Sequence, residues 1–176
     1  MAVLPIITFP NAVLRQRARK VREIDKPLLR LAHDMIDTMH ANYGVGLAAN
    51  QVGVLKRVIV IQLPEEEEPR IYINPEIVVR EGEREVEEGC LSVPGYIGTI
   101  TRSILVRFRA LDSTSKLVRL KADGLLAQAL EHEVDHLNGV LYIDHLKSHE
   151  ALRELPPPGA EDAAEPKEAA TEVHAV

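Results

Sequence analysis

Residues 128–142 read QALEHEVDHLNGVLY, and within this stretch His132, Glu133 and His136 form an H-E-x-x-H motif. Residues four apart on an α-helix share one face, so both histidines can direct an imidazole at a single ion. Glu133 can then reach a water on that ion and act as a general base. The same motif also arises by chance in buried helices, so a catalytic metal site requires a third ligand.

The downstream positions that supply this ligand in other H-E-x-x-H proteins do not provide one here. In the metzincin pattern H-E-x-x-H-x-x-G-x-x-H, Gly139 fits, but Tyr142 stands at the final ligand position. We expect Tyr142 to pack in the core or to hydrogen-bond through its hydroxyl. The gluzincin pattern, with a glutamate further along the chain, leads only to Glu154, beside a run of prolines.

Cys90, in the segment VEEGCLSVPGY (86–96), is the remaining soft ligand. A thiolate binds divalent cations well, although a lone cysteine is more commonly an inert buried residue. The glycines and proline around Cys90 place it outside the middle of a helix or strand. A Cys-His-His set leaves the fourth tetrahedral position open for water, as a catalytic site requires. We therefore predict Cys90, His132 and His136 as the metal ligands.

The apolar pattern predicts an α+β fold in which mostly antiparallel strands pack around a central metal-binding helix. One helix begins after Asp25, with Pro27 in its first turn, and ends near Tyr43 and Gly44. The metal helix follows Asp123 and stops at Asn138-Gly139. The predicted strands are 57–63, 71–79 with a break at Asn74-Pro75, 104–111, and its hairpin partner 117–122.

Length, charge and residue composition limit the classes of protein to which this chain can belong. The 176 residues predict a catalytic metallohydrolase domain over 1–150 and an acidic, Pro/Ala-rich tail over 151–176 that we expect to be disordered. Residues 156–176 hold five carboxylates and one lysine, so they account for most of the net charge of −6. The nearly neutral remainder argues against a dedicated nucleic-acid binder. With one cysteine, no membrane-spanning apolar run and no secretory signal, we expect a cytoplasmic protein without disulfides.

Three segments in order resemble the motifs of the peptide deformylase family: GVGLAANQVG (44–53), EGCLS (88–92) and QALEHEVDH (128–136). The similarity runs from FPNAVLR (9–15) to about Leu146. It implies removal of the formyl group from nascent N-formylmethionyl chains, and a fold of the α+β class. It also implies one divalent ion, with Fe(II) expected and Zn, Ni or Co as substitutes.

The resemblance also implies roles at matching positions. Cys90, His132 and His136 match the family's metal ligands, and Glu133 matches its general acid/base. Gln51 and the backbone amide of Leu91 match the groups that hold the developing oxyanion. The substrate-binding set comprises Val45, Gly46 and Gly89. We expect a monomer without nucleic-acid specificity or membrane association. Transient ribosome association stays open, because the acidic tail does not resemble the basic C-terminal helix that docks some relatives on the ribosome.

Three alternatives remain. A zinc endopeptidase shares the metal helix but leaves Cys90 and Tyr142 unexplained. A structural metal site in a binding module would need a fourth protein ligand, from His145 or His149. A redox role for Cys90 lacks a second, resolving cysteine.

Overall fold

Two antiparallel sheets lie on opposite sides of one helix in the computed structural model, which describes residues 2–155. The helices are α1 (Lys26–Ala41) and α2 (Gly124–Leu137), and the strands are β1 (Gly46–Ala48), β2 (Val58–Ile61), β3 (Arg70–Glu81), β4 (Arg84–Cys90), β5 (Val93–Arg102), β6 (Leu105–Leu111), β7 (Leu117–Asp123) and β8 (Leu152–Glu154). The five-stranded sheet has the order β1-β2-β3-β6-β7, and the three-stranded sheet has the order β4-β5-β8. The predicted α+β class is confirmed.

Helix α1 begins as the sequence predicts. The Asp25 side chain accepts a hydrogen bond from the Leu28 N–H at 2.9 Å, which caps the first turn, and Pro27 lies within that turn. The apolar face of α1 packs on β1 and β2, with Leu28, Met35 and Met39 fully buried. This packing supports β1, an edge strand beside the metal helix.

Helix α2 lies between the sheets because its two faces differ in polarity. Ala127, Leu130, Val134 and Leu137 pack in the apolar core under the five-stranded sheet. The other face carries polar side chains that contact the three-stranded sheet. Asp123 stands at the N-cap position, but its side chain makes no capping hydrogen bond. The helix therefore depends on burial of its apolar face more than on its cap.

The strand predicted to break at Asn74-Pro75 is continuous. Strand β3 runs through both residues with an irregularity in its pairing to β6 between Ile73 and Glu76. Asn74 has a positive φ of 52°, which asparagine tolerates better than most residues. Its side-chain amide pairs with both backbone groups of Val21, at 2.8 and 2.9 Å. The Asn-Pro signal thus marks a bulge and not the end of a strand.

The hairpin of β4 and β5 and the strand β8 are not anticipated from the sequence. Cys90 is the last residue of β4, so it lies at a strand end before the turn to β5. Strand β8 pairs with β5 within the predicted tail, so disorder from residue 151 is wrong for Leu152–Glu154. Residues 156–176 of that tail lie outside the described residues. Over residues 2–155, no helix is long and apolar enough to cross a membrane.

Candidate metal centre

The predicted ligands Cys90, His132 and His136 lie together, with one ligand atom from each within 4.8 Å of the others. His136 Nε2 lies 3.2 Å from Cys90 Sγ and 3.2 Å from His132 Nε2. The two histidines come from adjacent turns of α2, and Cys90 comes from the end of β4. The end of β4 therefore supplies the third candidate ligand, which α2 alone lacks.

This donor set fits one divalent ion. Two nitrogens that each bind a tetrahedral ion at about 2.0–2.1 Å lie roughly 3.4 Å apart, close to the separation of the histidine nitrogens here. Burial and the nearby charges of His132 and Arg102 lower the pKa of His136 well below its ordinary value, which favours the neutral imidazole that metals bind. Three ligands of this type are typical of a catalytic site with an open position.

A chain of ion pairs orients the His132 ring through Nδ1, the ring nitrogen that does not face the ligand cluster. His132 Nδ1 lies 2.7 Å from Glu88 Oε2, and Arg102 donates to both oxygens of Glu88, at 2.7 and 3.0 Å. Arg102 also donates to Asp135 at 2.6 Å, and Asp135 contacts His145 at 2.8 Å. Burial alone would raise the pKa of Glu88, but hydrogen bonds from His132 and Arg102 outweigh it and lower that pKa to about 2. Glu88 is therefore a carboxylate, and it leaves His132 Nε2 directed at the ligand cluster.

Glu133 is buried beside the candidate ligands. Burial raises the pKa of its carboxyl to about 7, which suits a proton carrier at neutral pH. Its Oε2 is buried and has no hydrogen-bond partner among the described residues. A Cβ atom at Gly46 would overlap Glu133 Oε1, so the edge of β1 lies directly against the carboxylate. Gly46 thus gives Glu133 the space it occupies.

Gln51 points its side-chain amide toward the ligand cluster. Its Oε1 accepts from the Ala48 N–H at 2.8 Å, which leaves the NH₂ group facing the site. That group donates to Ser92 Oγ at 3.1 Å and lies 3.6 Å from Cys90 Sγ. The short 3₁₀ turn Ala49–Val52 holds Gln51 here, and the residue is almost fully buried.

The ligand cluster opens into a cavity of about 540 Å³. Its lining includes the predicted site residues Val45, Gly46, Gln51, Gly89, Cys90, Leu91, His132 and Glu133. His136 is 1% exposed and lies behind them. Leu125 and Ala129 also line the cavity, whereas Val86 packs with Ile100 and Tyr142 in a separate core. Tyr142 is buried there, as expected of a core residue.

Sequence reasoning missed the residues that support the ligands. Glu88 stands in the EGCLS segment, two residues before Cys90. The sequence thus placed it near a predicted ligand but did not indicate that it contacts His132. Asp135 likewise stands in a recognised segment, QALEHEVDH. Arg102 gave no signal, because charged residues are usually exposed and their pairing depends on the tertiary fold. Ser92, which accepts from Gln51, likewise stands in EGCLS.

Comparisons with known proteins agree with this geometry. The sequence model of the polypeptide deformylase family matches residues 3–151. A peptide deformylase of Dehalococcoides mccartyi strain CBDB1 is 50% identical over 157 residues, covering 89% of this chain and 94% of that relative. A peptide deformylase of Thermomicrobium roseum is 44% identical, covering 97% and 99% of the two chains. The crystal structure of a peptide deformylase from Synechococcus elongatus in complex with actinonin has a TM-score of 0.82 at 40% identity, covering 86% and 82%.

The fold and the site define a class of protein, the metal-dependent hydrolases. Within that class, the chain belongs to the polypeptide deformylase family. The resemblance stated from three sequence motifs is confirmed.

Proposed function

We propose that this protein removes the formyl group from N-formylmethionyl polypeptides by hydrolysis and releases formate. One observation carries the proposal: a buried glutamate lies next to a Cys-His-His cluster at the base of a cavity bounded by two sheet edges. The family and the names of its relatives support the same reaction. We propose that residues 1–150 form the catalytic domain.

The residues near the cluster can carry both proton transfers. Cys90, His132 and His136 would hold a divalent ion, which would act as a Lewis acid and make a nearby water easier to deprotonate. Glu133 accepts a proton from the attacking water as the water oxygen bonds to the formyl carbon. It then delivers that proton to the amide nitrogen as the C–N bond breaks, which yields formate and a free amino terminus. Its raised pKa suits both steps.

Gln51 and the N–H of Leu91 are the proposed donors to the formyl oxygen, which becomes negative as the carbon turns tetrahedral. The Gln51 NH₂ group faces Cys90 Sγ, so it lies on the same side of the cluster as the turn that carries Leu91. Its Oε1 is already held by Ala48, so little reorganisation is required during the reaction. Loss of one such donor typically costs about 3–4 kcal/mol of barrier.

Val45, Gly46 and Gly89 are the proposed substrate-binding residues. Strand β1 is the edge of one sheet and β4 is the edge of the other, and both border the cavity. An exposed strand edge can hydrogen-bond an extended peptide, so the substrate backbone can enter between Gly46 and Gly89. The methionine side chain would lie against Val45, Leu125 and Ala129, which line the same cavity.

The bound metal ion is proposed to be Fe(II), with Zn, Ni or Co as substitutes. The proposed oligomeric state is a monomer. The cytoplasm is the proposed place of action, because N-formylmethionyl chains begin there. Transient ribosome association stays a prediction.

Product analysis on a short N-formylmethionyl peptide tests the proposal. Protein prepared without oxygen and supplied with Fe(II) or Ni(II) should release one formate for each new amino terminus, with the peptide otherwise intact. Cleavage at an internal bond would instead indicate an endopeptidase. Tight binding of one ion without any product would favour the structural-site alternative.

A further inference from the structure

Six basic residues form a ridge that the proposed hydrolysis does not use. We define the basic ridge by six residues: Arg17, Arg19, Lys20, Arg22, Lys56 and Arg57. Its two segments lie side by side, because Arg19 forms an isolated parallel bridge with Lys56. The Arg19 N–H donates to Leu55 O at 2.9 Å, and the Arg57 N–H donates to Arg19 O at 2.9 Å. The fold thus concentrates positive charge that the sequence spreads over two segments.

The ridge lacks acidic partners in the part of the chain that the structure describes. None of its six side chains forms an ion pair with a carboxylate of residues 2–155, and all are exposed except the partly buried Arg57. Arg57 donates only to neutral oxygens, those of Pro75, Leu137 and Asn138. Burial and then the charge of Arg17 lower the pKa of Arg57, and the nearby charge of Glu76 offsets them only in part.

Two cavities flank the ridge, of about 650 and 670 Å³. Together they are lined by eight cationic side chains, the six of the ridge with Arg80 and Arg109, and by three carboxylates, Glu23, Asp25 and Glu76. Arg80 pairs with Glu131 and Arg109 pairs with Glu76, so the excess positive charge comes from the six ridge residues. A surface this basic on a chain with a net charge of −6 is a local feature and not a consequence of composition. Neither cavity shares a lining residue with the substrate cavity, so a partner on the ridge leaves that cavity open.

We propose that the basic ridge binds the phosphate backbone of folded RNA. Four of its six cations are arginines, whose planar guanidinium groups match phosphate oxygens. Among the described residues no aromatic side chain lines either cavity, so none is available there to stack on bases. Val21, Val54 and Leu55, the apolar residues beside the ridge, are only partly exposed, which disfavours insertion into a lipid layer. Such a surface recognises duplex backbone independently of sequence. The choice of RNA rests on the proposed function, because a chain under synthesis is attached to RNA.

Fluorescence anisotropy with a labelled RNA hairpin of mixed sequence tests the proposal on the full chain over a series of salt concentrations. We expect binding that weakens with salt, and a double variant Arg17→Gln/Arg19→Gln should bind at least about tenfold more weakly, with the salt slope reduced by about 2. The matched control Lys147→Gln/Arg153→Gln removes two exposed cations near the three-stranded sheet and should bind like the parent. Both variants should deformylate a free short peptide normally. A failure of the RNA-binding proposal can therefore be told apart from a failure of the proposed deformylation.

Three results would overturn the proposal. The first is no RNA binding at low salt, and the second is equal weakening in both double variants. The third is RNA binding only after Glu161, Asp162, Glu165, Glu168 and Glu172 are replaced by their amides, since the chain's own acidic segment would then be the occupant. Vesicles of anionic lipid serve as a parallel probe, and preference for them over RNA would likewise contradict the assignment.

Discussion

Glu88 Oε2 lies 2.7 Å from Nδ1 of His132, and the Glu88 carboxylate is itself held by two hydrogen bonds from Arg102. This contact keeps a hydrogen on Nδ1 and orients the ring so that Nε2 faces the ligand cluster, where a metal ion would take the place of any proton on that nitrogen. The position of a metal ligand on α2 is thereby coupled to the three-stranded sheet, which carries both Glu88 and Arg102.

Glu88→Gln should lower metal affinity by about 10- to 100-fold, because a neutral amide holds the imidazole less strongly than a carboxylate does. Competition with a chelator of known affinity measures the change. Glu87→Gln is the matched control, since Glu87 is exposed on the same strand and pairs only with Arg153 at the surface. Equal metal affinity in the parent and Glu88→Gln would show that the contact does not support the ligand.

Cys90→Ser should lose bound metal and deformylation together, because a serine hydroxyl is a much poorer ligand than a thiolate for a soft or borderline ion. Metal analysis and formate release on the same preparation check this. Circular dichroism should show that the variant is folded, since Cys90 is partly exposed at the end of a strand. Full metal content in Cys90→Ser would remove Cys90 from the ligand set.

Gly46→Ala should reduce kcat/KM by roughly 100-fold without loss of metal. The new Cβ would overlap Glu133 Oε1 and displace the carboxylate, and displacements of about 1 Å can cost that much. Steady-state kinetics and metal content together measure the effect. Unchanged kinetics would mean that Glu133 can move without penalty, which conflicts with a positioned general base.

The pH dependence of kcat/KM should show an ascending limb that levels near pH 7. Burial raises the pKa of the Glu133 carboxyl to about 7, so lowering the pH below that value protonates it and removes the base. The rate should then fall about tenfold per pH unit. Metal content has to be followed at each pH, because protonation of the ligands also releases the ion. A flat profile from pH 5 to 7 with metal retained would contradict this assignment.

Much of the site could be predicted from the sequence because its residues lie in short motifs. The histidines and Glu133 are adjacent on one helix, and Cys90 is the only cysteine, so elimination leads to it. Asp25 and Pro27 mark the start of α1 because capping is a local interaction. These features depend on neighbouring residues, which the sequence shows directly.

The remainder depends on partners far apart in the chain. The buried pairing of Arg102 with Glu88 and Asp135 spans 14 and 33 residues. Before the fold is known, each of the three looks like a surface charge. The β4–β5 hairpin was missed because β4, REVEEGC, is mostly charged and buries only Val86 and Glu88. The basic ridge is similar, since Lys56 and Arg57 join residues 17–22 only through a tertiary bridge.

The most direct test compares formate release by the parent and by Glu133→Ala at equal metal content. If Glu133 carries the protons while Cys90, His132 and His136 hold the ion, Glu133→Ala should keep one ion per chain and lose about 10²- to 10⁴-fold in turnover. Turnover near that of the parent in metal-loaded Glu133→Ala would contradict the account.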